Sequence, residues 1–191
     1  EAGEPTVGTF NPGLYGDVLS DARARGQRIY SPAYIVPNPP YGLPEKHRNH
    51  LQMLAVMLEG GTIDLLASAE GLRELFELLH SVRSLGPFLA FQYAVDINYS
   101  PVTAGGEEDF VVAGPGARDG LRKCFSKLPR GDEVSALMWV AATQEEHFAR
   151  LGLDFESVFG RRLQPIDCQN LFCETDKYAR VSHPQFAGRS G

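Results

Sequence analysis

Apolar residues recur at helical spacing along most of the chain. The i, i+3, i+4, i+7 pattern, typical of a helix with one buried face, occurs three times. Phe88 to Ile97 is almost wholly apolar, and its length favours a helix over a strand. Segments of alternating polarity are scarce, so we expect an all-α domain of six to eight helices. The three stripes are Leu51, Leu54, Ala55 and Leu58; Leu72, Leu75, Phe76 and Leu79; and Val134, Leu137, Met138, Ala141 and Phe148.

Proline and glycine punctuate the N-terminal part of the chain. The Asn11-Pro12-Gly13 turn precedes a short helix expected over 14–24. Five prolines between positions 31 and 44 exclude a long helix there and favour an extended surface segment. Pro44 suits the first turn of the next helix, which Gly60-Gly61 ends. We therefore expect an irregular Pro-rich N-terminal arm (1–45) packed on a helical domain (46–185), with a short tail (186–191).

The composition is that of an ordinary folded chain. Of the 191 residues, 43% are apolar and 22% are charged, and the net charge is −6. That charge excludes a broadly cationic protein that coats nucleic acid, although a local basic face remains open. No membrane span, no secretory leader and only three cysteines are evident, so we expect an intracellular protein, cytoplasmic in a bacterial or phage-infected cell and nuclear in a eukaryote. The basic face would consist of Arg23, Arg25, Arg28, Lys46 and Arg48.

The first candidate motif is the segment 82–90, which joins two apolar helices through a turn at Gly86. The first backbone N–H groups of the second helix have no partner within that helix, and with the helix dipole they can hold a phosphate. A tight helix–helix turn without a ligand is the alternative.

The second motif spans 107–123. Its Gly114-Pro115-Gly116 turn opens a helix and forms a possible anion nest, although no Gly-Lys-Ser/Thr follows, so it is not a nucleotide-binding P-loop. Ahead of the turn, Asp109 adjoins apolar residues, and one interpretation is a partly buried carboxylate with a raised pKa, as suits a general base. A solvated acidic loop is the alternative. Cations follow the turn at Arg118, Arg122 and Lys123.

The third motif spans 166–180. Asp167, Asn170, Glu174 and Lys177 share one stripe of a helix, opposite an apolar side. This stripe is either a binding surface or a solvated face with a Glu174–Lys177 pair. Cys168 and Cys173 lie on different helical faces and are expected to be packed thiols.

His47 and His50 are spaced as metal ligands can be, but no third ligand is evident. We expect solvent-exposed or capping histidines, no metal and no cofactor.

Together these motifs resemble a known family. The chain is similar to the helical domain of the 5-hydroxymethyl-deoxyuridine DNA kinases and to the related alpha-glutamyl/putrescinyl thymine pyrophosphorylases, which hypermodify thymine in phage DNA. The resemblance runs over about 50–185 and is most specific at Asp167-Cys168-Gln169-Asn170. It implies a helix–hairpin–helix DNA glycosylase-like fold, in which Asp109 matches the catalytic aspartate by its spacing from Gly86. Ser84 replaces the first hairpin glycine, and Phe88 and Leu89 stand where lyase-type relatives carry lysine, so Schiff-base strand cleavage is not expected.

The resemblance also implies an activity. Pyrophosphate on a flipped pyrophosphoryloxymethyluracil would be displaced by a small amine or amino acid. Asp109 would be the general base, with Glu174 and Asp167 as further catalytic carboxylates. Base or amine binding would fall to Gln169, Asn170, Lys177 and Tyr178. DNA or phosphate binding would fall to Gly86, Gly114, Gly116, Arg118, Arg122, Lys123 and Arg180.

Two other functions remain open. A glycosylase would excise the modified base, with Asp109 stabilising the developing positive charge. A non-catalytic module would bind DNA beside a kinase. In each case we expect DNA as the partner, a monomer and no membrane.

Overall fold

The computed structural model describes residues 6–32, 35–103, 105–156 and 160–186. These residues form eight α-helices, two short 3₁₀ helices and no strand, which confirms the all-α prediction. The α-helices are α1 (Pro12–Ala24), α2 (Lys46–Glu59), α3 (Thr62–Ser68), α4 (Leu72–Ser81), α5 (Pro87–Asn98), α6 (Pro115–Cys124), α7 (Glu133–Leu151) and α8 (Pro165–Ser182). The 3₁₀ helices are Val7–Thr9 and Pro184–Phe186.

Side-chain hydrogen bonds hold the chain at the starts of α1 and α2. Asn11 caps α1 by accepting a hydrogen bond from the backbone N–H of Leu14 at 3.0 Å, and Pro12 fills the first helical position. The chain ahead of α2 is fixed by buried Asn49, whose side chain accepts from Leu43 N at 3.0 Å and donates to Leu43 O at 2.8 Å. The N-terminal segment is therefore tied to α2 by hydrogen bonds as well as by the packing of α1 on α2.

The core lies between the α4–α5 pair and helices α6 to α8. Leu75, Phe91, Leu121 and Leu137 are fully buried there. The predicted stripe on α4 is confirmed, since Leu72, Leu75 and Leu79 are all buried and Phe76 packs against them. Each of these side chains contributes about 1.5–3 kcal/mol through burial.

Two of the predicted stripes are only partly correct. Leu54 is 42% exposed, because α2 contacts α1 as well as α3, so its buried residues follow those two contacts and not one stripe. Val134 is 41% exposed at the first turn of α7, whereas Leu137 and Ala141 are buried as expected.

Glycines allow α6 and α8 to cross closely. A Cβ atom at Gly120 would lie 1.9 Å from the carbonyl oxygen of Phe172, and one at Gly116 would lie 2.6 Å from Cys173 Sγ. Only residues without a side chain permit this separation. The crossing places the first turns of both helices at the same end of the domain, where Gly114 N donates to Gln169 Oε1 at 3.3 Å.

Within the described ranges, no single helix is both long and apolar enough to cross a membrane. Helices α2 and α3 meet the length and composition test only when taken together, across a bend of 67°.

Candidate functional site

A polar cleft of about 400 Å³ opens where α5 ends and α8 begins. Its walls come from the last turn of α5, the loop that follows and the segment just before α8. The residues that line it are Asn98, Tyr99, Gly105, Gly106, Glu107, Glu108, Asp109, Arg161 and Gln164. Size and polarity suit a small polar ligand or an extruded base.

Arg161 is held in place at the wall of this cleft. Its Nη1 lies 2.6 Å from Asp167 Oδ2, and its Nη2 lies 4.0 Å from Glu107 Oε2. Asp167 also accepts the backbone N–H of Gln164 at 2.7 Å, which caps the start of α8. The predicted catalytic Asp167 therefore lies beside the cleft, where it orients a guanidinium group.

Glu107 is the most buried carboxylate that borders the cleft, with 14% of its side chain exposed. The position of Glu107 changes the pKa of its neighbour Tyr99. Burial, followed by the hydrogen bond and charge of Glu107, raises the pKa of Tyr99 to about 12. The phenol thus stays protonated well into the alkaline range, and its hydroxyl hydrogen is directed to the Glu107 carboxylate.

Asp109 is exposed, so of the two interpretations of this segment the solvated acidic loop is correct and partial burial of the carboxylate is wrong. The chain turns inward only after it: Phe110 is half-buried and Val111 is buried, while the acidic loop stays at the surface. Asp109 nevertheless borders the polar cleft and an adjoining cleft of about 240 Å³ that reaches Met138 and Arg162. Its carboxylate is thus open to a ligand in either cleft.

The glycine turn that was predicted to bind an anion is packed against neighbouring helices. Gly114 is buried, and a Cβ there would meet the Phe88 ring at 2.7 Å and Gln169 Oε1 at 2.8 Å. Gly116 lies against Cys173. Packing alone accounts for glycine at both positions, and phosphate binding here stays a prediction.

Three of the four predicted phosphate-binding cations on α6 and α8 face carboxylates of the chain. Arg122 Nη2 lies 2.5 Å from Glu133 Oε1. Lys123 contacts fully buried Asp176, and Arg180 Nε lies 3.1 Å from the other oxygen of that carboxylate. Arg118, the fourth, is exposed on the first turn of α6.

The outer residues of α8 lie away from Asp109. Glu174 and Lys177 pair with each other at 2.5 Å on an exposed face, and Glu174 lines neither cleft bordered by Asp109. Gln169 is buried and donates to Asn170 Oδ1 at 2.7 Å, while Tyr178 is 67% exposed. The structure therefore separates the predicted α8 stripe into Asp167 at the cleft and a solvated remainder.

Gly86 is exposed as the N-cap of α5, at the turn between α4 and α5. Ser84 in this turn has φ +81°, a left-handed conformation that favours glycine. Gly86 stands at the start of α5, and Asn98, at its end, lines the polar cleft. At a rise of about 1.5 Å per residue, the two are about 18 Å apart along the helix axis. A phosphate contact at Gly86 would therefore be separate from the chemistry at Asp109.

His47 is buried, so its predicted exposed or capping position is wrong. Its Nε2 lies 3.0 Å from Ser20 Oγ, within a polar network that holds α1 on α2. His50 is bound between the Tyr30 hydroxyl and the carbonyl oxygen of Pro37. No group of three or more metal-type side chains occurs in the part of the chain that the structure describes.

A comparison with protein families decides which family the chain represents. The family model described as the 5-hmdU DNA kinase helical domain matches residues 1–188. The chain belongs to this family. The match includes the predicted N-terminal arm, which the resemblance over 50–185 did not cover. No curated protein and no solved structure matches the chain.

Membership of the 5-hmdU DNA kinase helical-domain family brings a general function with it. The family is one of DNA-modifying enzymes, and it implies DNA as a partner.

Sequence reasoning missed several residues of this site. Arg161 and Arg162 were not singled out, nor was Tyr99 assigned a role. One signal was present: two consecutive arginines stand just before Pro165, which suits the first turn of a helix. Basic side chains beside a helix N-terminus are a known arrangement for binding anions.

Proposed function

We propose that this helical domain acts on DNA that carries a 5-pyrophosphoryloxymethyluracil and replaces the pyrophosphate with an amine or amino acid. The observation that carries this proposal is the position of Asp109. Its exposed carboxylate borders two adjoining clefts that each contain an arginine, and it also borders a third cleft of about 550 Å³ that contains Arg73. A substrate bound in these clefts would therefore contact both a proton acceptor and cationic groups.

The chemistry needs a base for the incoming nucleophile. The amine arrives as an ammonium ion, and Asp109 accepts one proton from it. The freed nitrogen lone pair forms a C–N bond to the methylene carbon on C5 of uracil. The C–O bond to pyrophosphate breaks, its electrons leave with the pyrophosphate, and the nitrogen releases a further proton to solvent.

The departing pyrophosphate needs positive charge. Arg161 borders the larger cleft and is oriented by Asp167, while Arg162 borders the smaller one and donates to the carbonyl oxygen of Ala141 at 2.5 Å. Guanidinium groups fixed in this way stabilise developing negative charge without having to reorganise. The positive end of the α8 dipole at Pro165 adds to this field.

The duplex itself would be held elsewhere. The first turns of α5 and α6 are neighbours, because Phe88 packs against Gly114. Gly86 and Arg118 are exposed at these two helix starts and would contact backbone phosphates. The net charge of −6 makes such local contacts necessary, since the protein as a whole repels DNA.

The deciding experiment identifies the product. An oligonucleotide with 5-pyrophosphoryloxymethyluracil is incubated with the protein and a pool of primary amines and amino acids, and its nucleosides are analysed by mass spectrometry. A new C–N-linked nucleoside, formed with release of pyrophosphate, supports the proposal. Abasic sites formed without any amine would instead identify a glycosylase.

Two further results would also contradict the transfer reaction. Phosphate transfer from ATP to 5-hydroxymethyluracil in a parallel incubation would identify the chain as catalysing the kinase step. Duplex binding without turnover on either substrate would identify a DNA-binding module.

A further inference from the structure

A second cavity, far more apolar than the cleft at Asp109, lies between the N-terminal segment, α2 and the α4–α5 pair. Its volume is about 550 Å³. A space of this size is typical of small-molecule sites, which span about 300–1,000 Å³. Its apolar wall includes Leu51, Met53, Met57, Leu66, Leu79 and Leu85. None of these residues borders the clefts at Asp109.

One side of this cavity is polar. A smaller cavity of about 240 Å³ has Tyr30, Val36, Tyr93 and Asp96 in common with it. The two spaces therefore adjoin, with an apolar chamber on one side and two phenols and a carboxylate at their common boundary. An apolar pocket with a few polar groups on one side is the usual form of a site that orients its ligand.

Hydrogen bonds fix what Tyr30 can offer at this boundary. His50 Nε2 lies 2.8 Å from the carbonyl oxygen of Pro37, which can only accept, so Nε2 carries a hydrogen. In the neutral ring Nδ1 then accepts, and it lies 2.6 Å from the Tyr30 hydroxyl. The hydroxyl hydrogen is thereby used, and the oxygen of Tyr30 can act toward a ligand only as an acceptor.

The charged groups at the boundary also favour a ligand that donates hydrogen bonds. Asp96 is exposed and borders both cavities, and the described residues that line them include no lysine or arginine. Two cations are described near Tyr30: Lys46 Nζ lies 4.8 Å from the ring centroid and so interacts with the ring face, and Arg23 acts on the phenol through its charge. A carboxylate and an acceptor oxygen favour a donor head group, and above all an ammonium.

We propose that this paired cavity binds a small molecule with an apolar body and an ammonium head, the body beside Met53 and Met57 and the head at Asp96. The site is independent of the transfer reaction proposed for Asp109. It is a ligand site in its own right on a helical domain whose family is defined by DNA modification.

The three methionines of the chain provide the test. Met53 and Met57 border the cavity, whereas Met138 borders the smaller cleft at Asp109. In protein with ¹³C-labelled methionine methyl groups, titration with phenethylamine should move the Met53 and Met57 resonances in a saturable way, whether or not Met138, at the site proposed for amine transfer, also responds. No movement of Met53 and Met57 would overturn the proposal. That result is independent of whether amine transfer occurs.

Matched probes and variants test the orientation. 3-Phenylpropionate has a similar body and a negative head, and we expect it to bind more weakly than phenethylamine. Asp96→Asn should reduce phenethylamine affinity about 2–5-fold, as for other exposed ion pairs, and should reduce the difference between the probes. Val36→Trp should abolish binding by filling the boundary, while Val56→Trp on the exposed face of α2 should not. Equal affinity for both probes, or binding that survives Val36→Trp, would contradict the assignment.

Discussion

Gly120 lies where α6 and α8 approach each other most closely, and its replacement by alanine tests that crossing. The added Cβ would lie 1.9 Å from the carbonyl oxygen of Phe172 and 2.8 Å from its carbonyl carbon. Contacts of real Cβ atoms stay above 3.0 Å, so the helices must separate by about 1 Å at this point. A carbonyl within a helix cannot rotate away, and the strain therefore falls on the packing around it.

The magnitude follows from two opposing effects. Overpacking of this kind costs about 1–3 kcal/mol, and a clash with backbone belongs at or above the upper end. Alanine recovers about 1 kcal/mol through its better helix propensity. We expect Gly120→Ala to lower the free energy of unfolding by about 2 kcal/mol. For a chain of this length that corresponds to a fall in Tm of about 4–8 °C.

Urea unfolding, followed through circular dichroism and the fluorescence of Trp139, measures this change. Gly116→Ala is the matched control on the same helix, because its clash is with the side chain of Cys173. Adding Cys173→Ala should restore stability to Gly116→Ala, whereas Phe172→Ala should not restore it to Gly120→Ala. Wild-type stability for Gly120→Ala, or rescue by Phe172→Ala, would refute the close backbone crossing.

Three further predictions concern stability. Burial and Glu107 hold the pKa of Tyr99 at about 12, against an ordinary value of 10.0. The contribution of the protonated phenol to the free energy of unfolding is therefore complete below pH 10 and is lost as the pH rises toward 12. In urea titrations across that range wild type should lose more stability than Tyr99→Phe, and equal losses would contradict this. Asn49→Ala should cost about 2–3 kcal/mol by leaving buried backbone groups without partners, while Asn38→Ala, at an exposed position, should cost under about 0.5 kcal/mol in the same assay. Lys123→Met should cost about 3 kcal/mol because Asp176 is fully buried, and a loss below about 1 kcal/mol would show that Arg180 alone compensates that charge.

Local pattern was enough to predict much of the fold. Helix α5 was expected at 88–97 and is found at Pro87–Asn98, and α1 was expected at 14–24 and is found at Pro12–Ala24. Both have strong punctuation at their starts. On α2, by contrast, one stripe was expected, but contact with both α1 and α3 spreads the buried residues and leaves Leu54 exposed.

The site was less predictable because its residues meet through tertiary packing. Asp109 was found by motif spacing, but its exposure depends on how the loop leaves α5. Arg161 matters because the start of α8 lies at the end of α5, which no local pattern encodes. The buried position of His47 likewise depends on Ser20, which comes from another helix.

The central claim is that Asp109 is the proton acceptor in amine transfer. Single-turnover formation of the aminated nucleoside tests it most directly, with Asp109→Asn compared against Asp64→Asn, an exposed carboxylate on α3 that borders neither cleft. We expect Asp109→Asn to slow the reaction by about 10²–10⁴-fold and Asp64→Asn to leave it unchanged. A wild-type rate for Asp109→Asn would contradict the proposed mechanism.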